Sequence, residues 1–263
     1  MELTLLKKTI YQGDTISILI KSDKPLYKQK LFFKGKYYPI LKIGKNRWHV
    51  NIGTDVKTTP KKYPIFYKTI ASSGKKIGIK KHVHILKGNF RKSFITIPKK
   101  KKKLAKAKYI NRESGIIGKI FKKVSPTKYW QGIFKMPVKG TTTTPYGAAR
   151  FYDNGKMTWW HKGIDIHNKI GTPIYAPNHG KVVLSEDFVS HGQTMIIDHG
   201  HSVYSILIHL HSRLVKTGTS VKKGQKIAIL GNSGIATGPH LHWGLSVNNI
   251  RVNPLFWIKN EIF

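Results

Sequence analysis

The chain has 263 residues, no cysteine and a formal net charge of +37 at pH 7. The absence of cysteine excludes disulfide bonds and thiolate metal ligands, so any metal must be held by imidazole and carboxylate groups. The length allows one large or two ordinary domains. No apolar run approaches the ~20 residues that span a bilayer, so we expect a folded protein without a transmembrane segment in this sequence.

The positive charge is concentrated in the first half of the chain. Residues 1–130 contain 34 Lys and Arg against 5 Asp and Glu, whereas residues 131–263 contain 14 against 6. A field of this sign attracts polyanions such as nucleic acid, anionic lipid or the acidic polymers of a cell wall. Lysine-rich composition on solvated strands, with no binding role, explains the same pattern.

Residues 1–97 are predicted to form a small β-sandwich domain. Segments rich in Ile, Tyr, Phe and Thr, such as "DTISILIKS" and "KYPIFYKTIAS", alternate with lysine and are separated by Gly, Asn or Pro. An immunoglobulin-like arrangement is one form that this spacing can take. Residues 98–127 follow with five consecutive lysines and the apolar residues of "GIIGKIF", which predict a basic linker with one short helix.

Residues 128–263 are predicted to form a second, all-β domain. Turn sequences such as "GTP", "APNHG" and "GNSGIATGP" separate its apolar segments. Ten of the thirteen histidines lie between residues 161 and 242. This density of histidines, with carboxylates nearby, indicates that a functional site lies in this domain.

Two segments of this domain supply candidate metal ligands. In "WWHKGIDIH", His161 and Asp165 share one face of an extended chain, and Gly163 between them is expected to leave room for an ion. In "GPHLHWGL", His240 and His242 also share one face. His161, Asp165 and one histidine of this pair predict a tetrahedral zinc site whose fourth position is open, as in catalytic zinc centres.

A zinc-dependent reaction also needs a group that moves protons. The segment "SVYSILIHLHSRLVKTG" offers His209 and His211, which are two residues apart at the end of an apolar strand. An imidazole beside zinc can accept and return a proton near neutral pH. The histidine of the 240/242 pair that does not bind the metal is a further candidate for this role.

Together these segments resemble peptidase family M23, the lysostaphin- and LytM-type zinc peptidases. The resemblance rests on "HKGIDI", "GTPIYAPNHGKVV", "IIDHG", "IHLHSRLVKTGTSVKKGQKIAILGNSG" and "ATGPHLHWGL", which follow one another over about residues 131–257. It implies zinc binding by His161, Asp165 and His242, and catalysis by His209 and His240.

The same resemblance selects between the two histidines of "HLHS". The family's His-to-Gly spacing, counted back nine residues from Gly218, ends at His209 rather than His211. The family usually has "HLS" at this place, so the extra histidine is a departure from its pattern. Upstream, the stretch from Gly147 to Arg150 resembles the family's entry segment near the substrate groove.

The resemblance implies antiparallel β-sheets around a narrow groove with zinc at its floor, and peptide crosslinks or stems of bacterial peptidoglycan as substrates. We therefore expect a zinc metalloendopeptidase of the cell envelope, periplasmic or secreted, although "MELTLLKKTIYQGD" lacks the apolar core of a signal peptide. A catalytically inactive relative that binds cell wall or regulates an amidase is the alternative, and the five filled positions favour the enzyme. Nucleic-acid binding is disfavoured because no known module signature is present.

Overall fold

The computed structural model describes residues 1–152 and 155–263, apart from the side chains of residues 156–158. The chain divides into two compact units. The first comprises Met1–Gly88 with Ile262–Phe263, and the second comprises Asn89–Glu261. None of the helices in the described ranges combines the length and the apolar character that crossing a bilayer requires.

The first unit is built from two β-sheets. Its strands are β1 (Glu2–Leu5), β2 (Thr9–Tyr11), β3 (Thr15–Lys21), β4 (Leu26–Phe33), β5 (Lys36–Tyr38), β6 (Leu41–Gly44), β7 (Arg47–Gly53), β8 (Lys61–Ala71) and β9 (Lys76–Leu86). One sheet has the order β1-β3-β7-β6 and the other has the order β2-β9-β8-β4-β5. In β8 every second residue from Tyr63 to Thr69 is buried, as the alternation with lysine predicts. The predicted all-β class is confirmed for this unit.

The second unit contains most of the histidines. Its elements are β10 (Lys92–Ile95), a 3₁₀ helix (Lys99–Leu104), α1 (Ala107–Phe121), β11 (Thr141–Thr144), β12 (Ala149–Tyr152), β13 (Lys156–Trp160), β14 (Ile164–His167), β15 (Pro173–Tyr175), β16 (Gly180–Phe188), β17 (Gly192–Gly200), β18 (Val203–Arg213), β19 (Ser220–Val221), β20 (Lys226–Leu230), β21 (His240–Val247), β22 (Ile250–Val252) and α2 (Pro254–Lys259). The main sheet runs β11-β14-β21-β18-β17-β16-β19, with β15, β20 and β22 beside it. Its pairings are antiparallel, which confirms the predicted sheet type.

The centre of the main sheet is covered on both faces. Strands β18 and β21 are buried along almost their whole length, and most of their residues are apolar. Helix α1 packs on the sheet through Ile117 and Phe121, which join a cluster of buried residues from β16, β17 and β18. The ring of Phe121 lies 5.4 Å from the ring of Tyr204, centroid to centroid.

The boundary between the two units differs from the one expected from sequence. We expected a first domain ending at residue 97 and a linker over residues 98–127, but the division falls between Gly88 and Asn89. Strand β10 pairs with β12, and α1 contributes to the core, so this segment belongs to the second unit. The apolar spacing predicts the helix itself, which extends over 15 residues. The lysine run that suggested a linker is mostly the exposed side of this packed segment.

The packing of α1 makes a prediction about stability. Replacement of Phe121 by alanine should lower the free energy of unfolding of the second unit by about 3 to 5 kcal/mol, because it leaves a cavity in the core. Urea denaturation followed by tryptophan fluorescence measures this loss. Val124→Ala, at an exposed position near the end of the same helix, is the control and should change stability by less than about 0.5 kcal/mol. A similar small effect for Phe121→Ala would show that α1 is not part of the cooperative unit.

Candidate metal centre

The site is organised by the antiparallel pairing of β14 with β21. Asp165 lies directly opposite His242 in this pair, and His167 lies opposite His240. Directly opposed residues place their Cβ atoms within about 5.5 Å on one face of a sheet. Accordingly, the Oδ1 atom of Asp165 is 2.7 Å from the Nδ1 atom of His242.

His161 completes the group from outside the strand. Its Nε2 atom lies 3.0 Å from Oδ1 of Asp165 and 2.9 Å from Nδ1 of His242. The sequence predicted an extended chain from His161 onward, but β14 begins only at Ile164. His161 therefore reaches the carboxylate from the short segment that joins β13 to β14. All three side chains are buried.

Gly163 has a different role from the one expected. The sequence suggested that it leaves room for an ion, whereas the space beside it is filled by the imidazole of His242. A Cβ atom at this position would lie 2.6 Å from Nε2 of His242 and 2.6 Å from the backbone oxygen of Trp243. Glycine is thus required here for the ring of His242 to face Asp165.

The charge states of these groups fit a bound cation. The Nδ1 atom of His161 donates a hydrogen bond to the carbonyl of Pro145 at 2.9 Å, which leaves a lone pair on Nε2. Burial lowers the pKa of His161 and lowers that of His242 to about 3. Burial alone would raise the pKa of Asp165, but the facing imidazoles hold it well below its usual range. Lone pairs are thus brought together in a buried space, an arrangement that a shared cation stabilises.

The identity of these ligands fits zinc. Within the described residues, His161, Asp165 and His242 form the group whose side chains are close enough to share one metal ion. Two imidazoles and one carboxylate, with a fourth position free, are the ligand set of a catalytic zinc centre. The hydrogen bond from His161 to Pro145 fixes the ring, as contacts behind metal-binding histidines commonly do.

Arg150, at the end of the predicted entry segment, also contacts this group. Its guanidinium, on β12, forms an ion pair with the Oδ2 atom of Asp165. Because Oδ1 faces the two histidines, the arginine orients the carboxylate by holding the other oxygen.

The predicted catalytic histidines lie in the same cavity as the three ligands. This cavity, of about 620 Å³, is lined by residues that include His161, Asp165, His209, His240 and His242. The rings of His209 and His240 are 4.9 Å apart between centroids. Nε2 of His240 lies 3.8 Å from Oδ1 of Asp165, so both histidines are neighbours of the candidate metal position.

Both histidines present their Nε2 atoms as proton acceptors. The Nδ1 atom of His209 donates to the carbonyl of Ser233, and that of His240 donates to the carbonyl of Gly238, each at 2.9 Å. Burial and the neighbouring imidazoles hold the pKa of His209 well below its usual range. His209 is therefore neutral at pH 7 and has a lone pair available.

His209 occupies an irregular position in β18. The pairing of β18 with β17 shifts register between Gln193 and Met195, and His209 has a positive φ of 66°. Such bulges redirect side chains beside functional sites. His211 is exposed, and the cavity lining within the described residues does not include it. The structure therefore places His209, rather than His211, beside His240.

Two residues that the sequence analysis did not single out hold the loops next to His209. They are Glu113 on α1 and Lys101 in the 3₁₀ helix. A signal for Glu113 was present, because it is the one acidic residue between positions 56 and 152. Lys101 carried no such signal, since it is one of five consecutive lysines.

Comparison with known proteins gives the class of this domain. Residues 160–254 match the sequence model of Peptidase family M23. A crystal structure from Pseudomonas aeruginosa that is assigned to peptidase M23 is 25% identical, superposes with a TM-score of 0.68 and shares 94% of each chain. The resemblance to peptidase family M23 is thereby confirmed, and residues 160–254 carry the sequence match.

Two curated relatives share this region. A protein of Haemophilus influenzae named as an uncharacterized metalloprotease is 32% identical over 57% of this chain, and the match covers 30% of the relative's length. The peptidoglycan DD-endopeptidase ShyA of Vibrio cholerae is 40% identical over 44% of this chain and 27% of its own. The chain thus spans less than a third of the length of these relatives.

The contact at Gly163 makes a prediction about metal binding. Gly163→Ala should lower zinc affinity at least about tenfold, because the new methyl group displaces the His242 ring, and the loss of a supporting contact at a metal site typically costs 10- to 100-fold. Competition against a chromophoric chelator measures the affinity. Gly238→Ala is the matched control, since a Cβ atom there meets nothing within 4 Å. Unchanged affinity in Gly163→Ala would contradict the assigned role of this glycine.

Proposed function

We propose that the protein is a zinc-dependent endopeptidase that hydrolyses peptide crosslinks or stem peptides of bacterial peptidoglycan. The observation that carries this proposal is the approach of His161, Asp165 and His242 within 3.0 Å of one another, in a cavity that also holds two further histidines. The match of residues 160–254 to peptidase family M23 and the relative named peptidoglycan DD-endopeptidase support it. An envelope location follows from the substrate.

In the proposed mechanism, His161, Asp165 and His242 would hold a zinc ion. When bound, zinc would supply Lewis-acid chemistry, which polarises a carbonyl and lowers the pKa of water to about 7. The ion pair with Arg150 keeps Oδ2 of Asp165 occupied, so that Oδ1 faces the two histidines. The pocket at Gly163 keeps the ring of His242 in place.

His209 and His240 are proposed to manage the protons of the reaction. Each has its Nδ1 proton committed to a backbone carbonyl, so each can accept a proton at Nε2. The attacking water gives up a proton to one of these nitrogens, and the leaving amine later takes one back. The imidazolium formed in the meantime also stabilises negative charge that develops on the substrate.

A non-catalytic scaffold that binds cell wall or regulates an amidase is the second candidate. Such a scaffold requires no particular residue at the positions of the three proposed metal ligands and the two proposed catalytic histidines. The complete set, together with the proton-accepting orientation of His209 and His240, favours the enzyme. Digestion of purified peptidoglycan sacculi, with mass analysis of the released fragments, distinguishes the two.

The first prediction of this proposal concerns the metal. The protein should bind one zinc ion per chain, and Asp165→Ala should lose it, because that change removes the only charged ligand. Metal analysis after gel filtration measures the stoichiometry. A chelator should abolish release of fragments from sacculi, and added zinc should restore it. Full zinc content in Asp165→Ala would contradict the ligand assignment.

The second prediction separates catalysis from metal binding. His209→Ala and His240→Ala should each keep one zinc ion but lose about 100-fold or more of the hydrolytic activity, the usual scale of general acid–base catalysis. His211→Ala is the matched control and should stay active, since this residue is exposed. An inactive His211→Ala with an active His209→Ala would reverse the assignment of the two histidines.

The basic half of the chain is proposed to bind anionic cell-wall polymer. Attraction between exposed charges is screened beyond about 8 Å at physiological salt, so such binding should fall steeply as salt is raised. Sedimentation with sacculi at several salt concentrations measures it, and sacculi stripped of anionic polymer are the control. Equal binding to both preparations at every salt concentration would show that the lysine excess has no targeting role.

A further inference from the structure

His209 is held by hydrogen bonds at two atoms. Its backbone N–H donates to the carbonyl of His191 at 3.1 Å, and its Nδ1 donates to the carbonyl of Ser233 at 2.9 Å. Its positive φ is a conformation that L-residues adopt rarely and that surrounding contacts must maintain. The position of this imidazole therefore depends on the two loops that carry these carbonyls.

The loop that carries His191 is held by Glu113. The buried carboxylate accepts hydrogen bonds from the backbone N–H groups of Ser190 and His191, at 2.9 and 3.0 Å, and from Nδ1 of His191 at 2.6 Å. Burial alone would raise the pKa of Glu113, but these hydrogen bonds lower it. An ionised carboxylate with three donors makes strong, charge-assisted bonds that fix both residues of the turn.

The loop that carries Ser233 is held by Lys101. Its Nζ atom donates to the backbone oxygen of Asn232 at 2.6 Å, to its Oδ1 atom at 2.8 Å, and to the backbone oxygen of Ala236 at 2.8 Å. These acceptors stand on both sides of Ser233. The ammonium group uses its three donors on this one loop and fixes the segment between its two ends.

We propose that Glu113 and Lys101 are positioning residues for His209. Both lie before residue 160, where the match to the family begins, so the support for His209 comes from a segment outside the matched region. Within the described residues, the cavity lining includes neither side chain, so both act through the loops that carry His191 and Ser233. The inference rests on the proposed function, in which His209 accepts the proton.

Anchoring of the segment does not require these two charges. Helix α1 is already attached to the sheet by its apolar face, through Ile117 and Phe121. A buried charge costs solvation free energy, and apolar side chains of similar size usually hold elements together at least as well. What a carboxylate and an ammonium group provide is directional contact with specific backbone atoms, here the loops that hold His209.

The test uses the full chain with Glu113→Gln and Lys101→Met. The glutamine side chain retains an oxygen but loses the charge, and the methionine loses all three donors while keeping the length of the side chain. Arg112→Gln and Lys103→Met are matched controls at exposed positions next to each site. The assays are kcat and KM on a soluble crosslinked muropeptide, zinc content, thermal stability, and the ¹⁵N NMR signals of the His209 ring.

We expect kcat to fall about 10- to 100-fold in both variants, the scale of misplacing a catalytic group by about 1 Å. KM should change less than about twofold and the zinc content should stay at one, since no ligand is touched. The ring signals of His209 should shift or broaden, which a loss of stability alone does not cause in the folded protein. The two control variants should resemble the wild type in every assay.

Unchanged kcat and unchanged His209 signals in both variants would overturn the inference. A variant of Glu113 that fails to fold leaves the decision to Lys101→Met, because that side chain belongs to a short surface helix. If the wild-type protein does not cleave muropeptides at all, the proposed function fails, and the NMR signals still decide whether the two residues position His209.

Discussion

The register between β14 and β21 is the constraint on which the rest of the site depends. Asp165 faces His242 because the alternate residues of β21, Leu241 and Trp243, are fully buried on the other face. A slip of one residue would turn both apolar side chains toward the cavity and the histidine into the core. The hydrophobic core therefore fixes the positions of Asp165 and His242, so the geometry of the candidate metal centre depends on residues that do not belong to it.

Much of this site could be predicted from sequence because strands have a period of two. The spacing of His240 and His242, and that of Asp165 with its apolar neighbours, determines which side chains share a face, and both segments are strands. The placement of His161 could not be derived in this way, since it lies in the short segment between β13 and β14 rather than in a strand. The role of Gly163 could not be predicted from its neighbours in sequence either. The ring that fills the space beside it belongs to His242, about 80 residues away in sequence.

The domain boundary shows a different limit. Five lysines in a row indicate exposure to water, and an exposed basic run predicts a linker. A helix that packs by one face is exposed on the other, and composition does not distinguish these cases. Within the run, Lys101 turns inward to the loop at residue 232 while Lys103 stays in solvent. The two lysines have the same local sequence pattern and differ only in their tertiary contacts.

The scarcity of acidic residues gives the remaining carboxylates particular meaning. The chain has 11 acidic residues against 48 basic ones. Among the acidic residues that the structure describes, four are buried, and each accepts hydrogen bonds from the polypeptide around it: Asp14, Glu113, Asp165 and Asp198. In such a composition an isolated acid inside a basic stretch is a better guide to a structural contact than any lysine.

The contacts that reach across the second unit also define what can be exchanged between related enzymes. A chimeric lysin assembled by cutting at the start of the family match would leave behind Arg150, Pro145 and the anchors of the His209 loops. The compact unit that contains all of these contacts begins at Asn89, well before the start of the sequence match. A fragment that begins there keeps the contacts that support the site. In a shorter fragment, residues of the recipient protein must provide equivalent contacts.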